Sequence, residues 1–157
     1  MILLCPSMKN GNQIIFDMVV LDTHVLIWLV NGDEKIIKSN FLPFINKAIK
    51  KNSIFIPAIC LWEISMLVSK NRITLTENTI DWIRNATSAP GISIYPLSPE
   101  VAFESTILPG DFHGDPADRM IVATTRILDA TLLTFDKQII NYSKKGYIKI
   151  KIPKGYV

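Results

Sequence analysis

The chain lacks most of the features that announce a function early. It carries two cysteines and two histidines in 157 residues. Cys5, Cys60, His24 and His113 fall into no zinc spacing, and two cysteines make no disulfide framework. No run of about eighteen residues is uniformly apolar, so no membrane span is expected. The start, Met1-Ile2-Leu3-Leu4-Cys5-Pro6, has no basic flank, and its apolar run is too short for a signal peptide. These absences together suggest a soluble, cytoplasmic protein in a reducing compartment. Gly-x-Gly-x-x-Gly, Walker and Gly-x-Ser-x-Gly patterns are missing, which weakens nucleotide-cofactor and serine-hydrolase readings. There is no internal repeat and no low-complexity tract.

What is present is core material and carboxylates. Hydrophobic residues make up 48% of the chain, enough for one domain with a sizeable core. The net charge of +3 is mild. Lys144, Lys145, Lys149, Lys151 and Lys154 crowd the C-terminal end, and Lys47, Lys50 and Lys51 form a second group. Either a solvated face or a surface for a polyanion fits these groups. The three tryptophans, Trp28, Trp62 and Trp82, suit a core better than a base-stacking role.

Short apolar runs alternate with helical patterns along the chain. Strands are expected at 18–21, 54–56, 92–95, 130–135 and 147–150. Helices are expected from Thr23 to Val30, stopped by Asn31-Gly32, and over 40–51, where Pro43 must fall in the first turn. Further helices are expected over 58–69, over 76–86 capped by Thr76 or Thr79, and over 98–107 with Ser98 as cap and Pro99 at the first position. The last two run over 115–128, capped by Asp115, and over 137–142. This alternation predicts an α/β fold around a mainly parallel sheet. In such sheets ligands bind outside the carboxyl ends of the strands.

Five acidic residues stand where that rule matters. Asp22 follows Met18-Val19-Val20-Leu21, and Asp136 follows Thr131-Leu132-Leu133-Thr134-Phe135. Asp115 and Asp118 open a helix, and Glu63 lies in Leu61-Trp62-Glu63-Ile64 on a helix expected to be largely buried. Each has a structural alternative. Asp115 before Pro116 suits an N-cap, Asp118 suits the positive end of a helix, Asp22 could cap, and Asp136 could begin a turn. Glu63, with Ile59, Met66 and Leu67 around it, needs an ion pair or a cation to offset its burial. Clustered carboxylates are hard oxygen donors, which suit Mg²⁺ or Mn²⁺.

Four segments together resemble a known family. Val20-Leu21-Asp22-Thr23-His24-Val25-Leu26-Ile27-Trp28 resembles the opening motif of PIN-domain ribonucleases, closest to VapC-type toxins of type II toxin–antitoxin modules. Pro57-Ala58-Ile59-Cys60-Leu61-Trp62-Glu63-Ile64 is similar to the second motif. The stretch from His113 through Asp115, Asp118 and Ala123 is similar to the third, and Leu132-Leu133-Thr134-Phe135-Asp136 to the fourth. The likeness runs from Met18 to about Ile152. It implies a three-layer α/β/α sandwich and a metal-dependent endoribonuclease that uses Mg²⁺, with Mn²⁺ as an alternative. It also implies an RNA substrate, a cognate antitoxin and a homodimer. Carried over, Asp22, Glu63, Asp118 and Asp136 match the acidic quartet, Asp115 an additional acidic position, and Thr23 the hydroxyl beside the first aspartate. The catalytic domain is then 18–157. Residues 1–17 are expected to be a loosely held, dispensable extension, and Met18 stands where relatives begin. A catalytically silent RNA-binding or scaffolding PIN domain is the alternative, opposed by all four acidic positions being filled. A phosphatase of the haloacid-dehalogenase type needs Asp-x-Asp, and His24 stands where the second Asp would be.

Overall fold

The computed structural model describes residues 17–155. Of the expected extension only Asp17 falls among them; the rest lies outside the described residues. The elements are β1 (Val19–Leu21), α1 (Thr23–Val30), α2 (Glu34–Ile37), α3 (Phe41–Lys50), β2 (Ile54–Pro57), α4 (Ala58–Ser69), α5 (Thr79–Ser88), β3 (Ile92–Tyr95), α6 (Pro99–Thr106), α7 (Pro116–Ile127), β4 (Thr131–Leu133), α8 (Lys137–Ser143) and β5 (Lys149–Lys151). The strands form one sheet in the order β3-β2-β1-β4-β5. Every pairing is parallel, with Val19 opposite Ile54 on one side and Thr131 on the other. Helices flank the sheet in a three-layer α/β/α arrangement, as the alternating pattern predicts.

This order has a consequence for function. The chain moves outward from β1 to β2 to β3, then returns to place β4 on the other side of β1. Neighbouring connections therefore diverge between β1 and β4, and a crevice opens at the carboxyl ends of those two strands. Asp22 and the Thr134–Asp136 segment leave the sheet at that point, and the Asp22 N–H is held by the Leu133 carbonyl at 3.1 Å.

The central strands are apolar because both their faces are covered. Val20, Leu21, Ile54, Ile56, Leu132 and Leu133 are buried. Phe41, Ile64 and Ile121 from the helices close over them. Burying a side chain of this size contributes about 1.5–3 kcal/mol. Trp82 fills the core from α5, its indole N–H donating to Asn31 Oδ1 at 3.1 Å. Gly91 leads into β3 with φ +82°, where a Cβ would collide with the Ile49 backbone.

Several expectations need correction. Asn78, not Thr76 or Thr79, caps α5, since its Oδ1 accepts from the Asp81 N–H and the helix begins at Thr79. The four-residue α2 was not anticipated; Asp33 caps it. The last strand begins at Lys149 instead of Tyr147, because the Tyr147 ring is taken up by packing on Tyr142 and its carbonyl by the Arg126 guanidinium. Only Cys60 and Ile64 of α4 are fully buried, and Trp62 is 55% exposed. That helix is apolar nearly all round, so its pattern could not show which face the core takes.

Candidate active site

The crevice at the β1–β4 switch is a cleft of about 390 Å³, lined by Asp22, Glu63, Asp115, Asp118 and Asp136, with His24, Trp28 and Phe135 on its rim. The structure thus brings all five sequence-selected carboxylates to one place. Each arrives by its own local device. Asp22 caps α1, with Oδ1 accepting from the Thr23 N–H at 2.7 Å. Asp136 caps α8, with Oδ1 accepting from the N–H groups of Gln138 and Ile139. Asp115 caps α7 and accepts from the Asp118 N–H at 3.1 Å. Asp118 follows in the first turn of α7, and Glu63 projects from α4. The capping alternatives for Asp22 and Asp115 are therefore correct as geometry, but at Asp115 and Asp136 the capping oxygen leaves a second oxygen for the cleft.

The Thr23 hydroxyl donates to Glu63 Oε2 at 2.5 Å. Thr134 is a residue that sequence reasoning missed. Its buried hydroxyl donates to Asp22 Oδ2 at 2.6 Å and accepts from the Asp136 N–H at 2.9 Å. One side chain therefore fixes the positions of two carboxylates from two strands. The available signal was its place two residues before Asp136. Thr134→Val should leave an Asp22 oxygen without its buried partner and cost about 1–3 kcal/mol; urea denaturation measures it, and Thr134→Ser should recover most of the loss.

His113 is the second addition. Its Nε2 lies 3.3 Å from Asp118 Oδ2, and its Nδ1 faces the Asp115 N–H at 3.4 Å. Arg119 anchors the loop that carries it, donating to the carbonyls of Ser105, Phe112 and His113. Among the described residues no Lys or Arg forms an ion pair with any of the five cleft carboxylates. The ion-pair alternative for Glu63 is thereby removed.

Electrostatics follow from that imbalance. Burial raises the Asp22 carboxyl to about 6, against the pull of the Thr134 hydroxyl. Asp118 rises further, to about 8, first by burial and then by the charges of Asp22, Asp115, Asp136 and Glu63. Carboxylates that hold protons near neutral pH because they are buried and, at Asp118, crowded by like charges are suited to a cation. The donor set is hard oxygen, so Mg²⁺ or Mn²⁺ fits better than zinc. Cys60 is no competitor: burial pushes its thiol well up, and its Sγ faces the Leu21 carbonyl. The fit is one of charge and donor type. As the side chains stand, no group of three His, Cys, Asp or Glu residues among those described is arranged to hold an ion.

A second cleft of about 420 Å³ lies at the other end of the sheet, between Glu104, Arg126, Asp129 and Lys149. Its charges satisfy one another, Arg126 with Glu104 and Lys149 with Asp129, each at 2.6 Å. Members of both lysine groups reach this opposite rim, whereas Lys151 stands at the carboxyl end of β5 opposite Leu133. Lys149 opens β5, and Lys47 and Lys51 sit beside Asp17 and Val19 at the start of β1. Neither group borders the acidic cleft.

Comparison with known proteins agrees with this architecture. The family model for the PIN domain matches residues 19–145. The chain belongs to the PIN-domain family. It is 29% identical over 122 residues to Ribonuclease VapC22 of Mycobacterium tuberculosis, a match spanning 77% of this chain and 88% of that protein. Its fold is similar to that in the crystal structure of VapBC2 from Rickettsia felis bound to a promoter DNA fragment, with a TM-score of 0.63 at 20% identity over 85% of this chain and 97% of the other. A DNA-bound VapBC from Salmonella typhimurium gives 0.61 at 16% identity, over 85% and 96%. No helix among the described residues is long and apolar enough to cross a membrane.

Proposed function

We propose that this chain is a VapC-type toxin, an endoribonuclease that cleaves RNA phosphodiester bonds with a divalent cation, Mg²⁺ or Mn²⁺, and is held in check by a cognate antitoxin. The observation that carries the reading is five carboxylates in one cleft with no Lys or Arg ion pair among the described residues. The names of the similar proteins support it, since one is a ribonuclease and others are VapBC assemblies.

Asp22, Glu63, Asp118 and Asp136 would hold the cation, with Asp115 as a further donor. Bound there, a divalent ion neutralises phosphate charge and lowers the pKa of water. The remaining work belongs to the chain. The Thr134 hydroxyl and the Thr23 N–H each hold one Asp22 oxygen, and the Thr23 hydroxyl holds Glu63. His113 stands beside Asp118, its Nε2 3.3 Å from Oδ2. Groups of this second kind tune ligand affinity by about 10–100-fold. The unpartnered acidic cleft also suits an antitoxin that inserts an arginine, because guanidinium pairs well with carboxylate.

Incubation of the purified chain with total RNA tests the activity. Cleavage is expected with Mg²⁺ or Mn²⁺ and none in excess EDTA. Intact RNA under both conditions would remove the nuclease reading in favour of a silent RNA-binding domain. A neighbouring gene whose product relieves growth arrest by this chain would support the toxin assignment. Unaffected growth on expression would oppose it.

A further inference from the structure

We propose that the groove running along α4 from Glu63 to Arg72 carries the RNA strand next to the bond that is cut. The proposal rests on the nuclease reading above. A groove of about 180 Å³ is lined by Trp62, Glu63, Met66, Lys70, Arg72 and Asp115, among others. Glu63 and Asp115 also line the acidic cleft, so the two depressions are continuous. Along α4, Glu63, Met66 and Leu67 stand one turn apart, and Lys70 stands a further turn on, at the C-cap. They therefore share one face, and Lys70 lies about 10 Å along the helix from Glu63.

Charge changes sign over that distance. The cleft end gathers five carboxylates, whereas Lys70 and Arg72 at the far end are exposed and form no ion pair among the described residues. A polyanion fits this polarity: one phosphate faces the acidic cluster through a cation while its neighbours meet the basic pair. Trp62 supplies the remaining element. A tryptophan 55% exposed, lining the groove next to Glu63 at its acidic end, offers a face on which any base can stack. Lys47, Lys51 and Lys149 lie at the opposite rim, away from a strand entering here. Single-stranded RNA is favoured over a duplex because the platform requires an unstacked base.

The test measures binding of a fluorescein-labelled, mixed-sequence, single-stranded RNA oligonucleotide by anisotropy over a range of salt, with Ca²⁺ in place of Mg²⁺. Cleavage with Mg²⁺ is followed in parallel. The Lys70→Gln/Arg72→Gln variant should reduce the log–log salt slope by about 1.4, at about 0.7 per lost contact on a single strand. Trp62→Ala should weaken binding by roughly 5- to 150-fold, the range of one base stacked on an aromatic ring. Trp62→Phe should recover most of that. The loss should appear in KM, with kcat at saturating RNA retained and melting temperatures unchanged. A wild type that cuts RNA beside folded variants with unaltered affinity and slope would overturn the groove alone. So would variants that bind RNA normally but no longer hold the antitoxin, which would assign the face to a protein. A wild type that neither binds nor cuts RNA would remove the nuclease reading and the groove together.

Discussion

Asp22→Asn should reduce RNA cleavage by about 100-fold or more and leave the fold standing. Asp22 is the carboxylate most firmly built into the site, buried at the end of the central strand with one oxygen on the Thr23 N–H and the other on the Thr134 hydroxyl. Groups that merely orient a metal ligand are worth about 10–100-fold, so removing the charge of the ligand itself should exceed the upper end of that range. Asparagine keeps the volume. Its carbonyl oxygen can still accept from Thr23, and its amide can donate to the Thr134 oxygen. The cap on α1 therefore survives. Circular dichroism and melting should match wild type while gel-based cleavage is lost. Retained cleavage would show that Asp22 serves only as a cap.

The second large effect separates two neighbours in the same turn. Asp118→Asn should cost about as much activity as Asp22→Asn, whereas Asp115→Asn should cost less. Asp115 is exposed and spends one oxygen capping α7, which asparagine also does. Asp118 lies deeper and feels every other carboxylate in the cleft. That placement sets a pH dependence for the metal-free protein. Folding raises the Asp118 carboxyl from 3.8 to about 8. Below 3.8 folded and unfolded chains both carry the proton, and the site imposes no electrostatic penalty. As pH rises toward about 8 the unfolded chain releases the proton first, so stability declines through that window. Asp22, raised to about 6, acts in the same direction over a narrower one. The melting temperature in EDTA should thus fall between pH 4 and pH 8, and Mn²⁺ should restore more of it at the upper end. Asp118→Asn should flatten the profile. A flat profile in wild type, or equal activity losses at Asp115 and Asp118 with equal stability, would contradict this division of roles.

The acidic cleft was legible in the sequence because its parts obey local rules. A three-residue apolar strand followed by Asp, as at Leu21–Asp22, puts a carboxylate at a strand end whatever the rest of the chain does. Asp-Pro at 115–116 marks a helix start in the same way, and Asp118 follows from helical spacing. What was illegible depends on tertiary contact. Thr134 looks like any β-branched strand residue until β4 is laid beside β1, when its hydroxyl bridges Asp22 and Asp136. His113 gains its role only because Arg119 folds the loop back. The half-exposed state of α4 was hidden by its composition, since a helix apolar on most sides reads as buried. Lys70 and Arg72 were overlooked for the opposite reason: they are two isolated charges beside denser lysine groups, several of whose members the topology sends to the other end of the sheet.

The proposed function turns on divalent-ion binding in this cleft as the source of RNA cleavage. The most direct measurement titrates Mn²⁺ into the purified chain while following RNA cleavage and, in parallel, Mn²⁺ binding by electron paramagnetic resonance. The expected result is a common half-saturation for both curves in wild type, with both lost in Asp22→Asn at unchanged melting temperature. Cleavage that persists in excess EDTA, or that survives in Asp22→Asn after Mn²⁺ binding has gone, would contradict it.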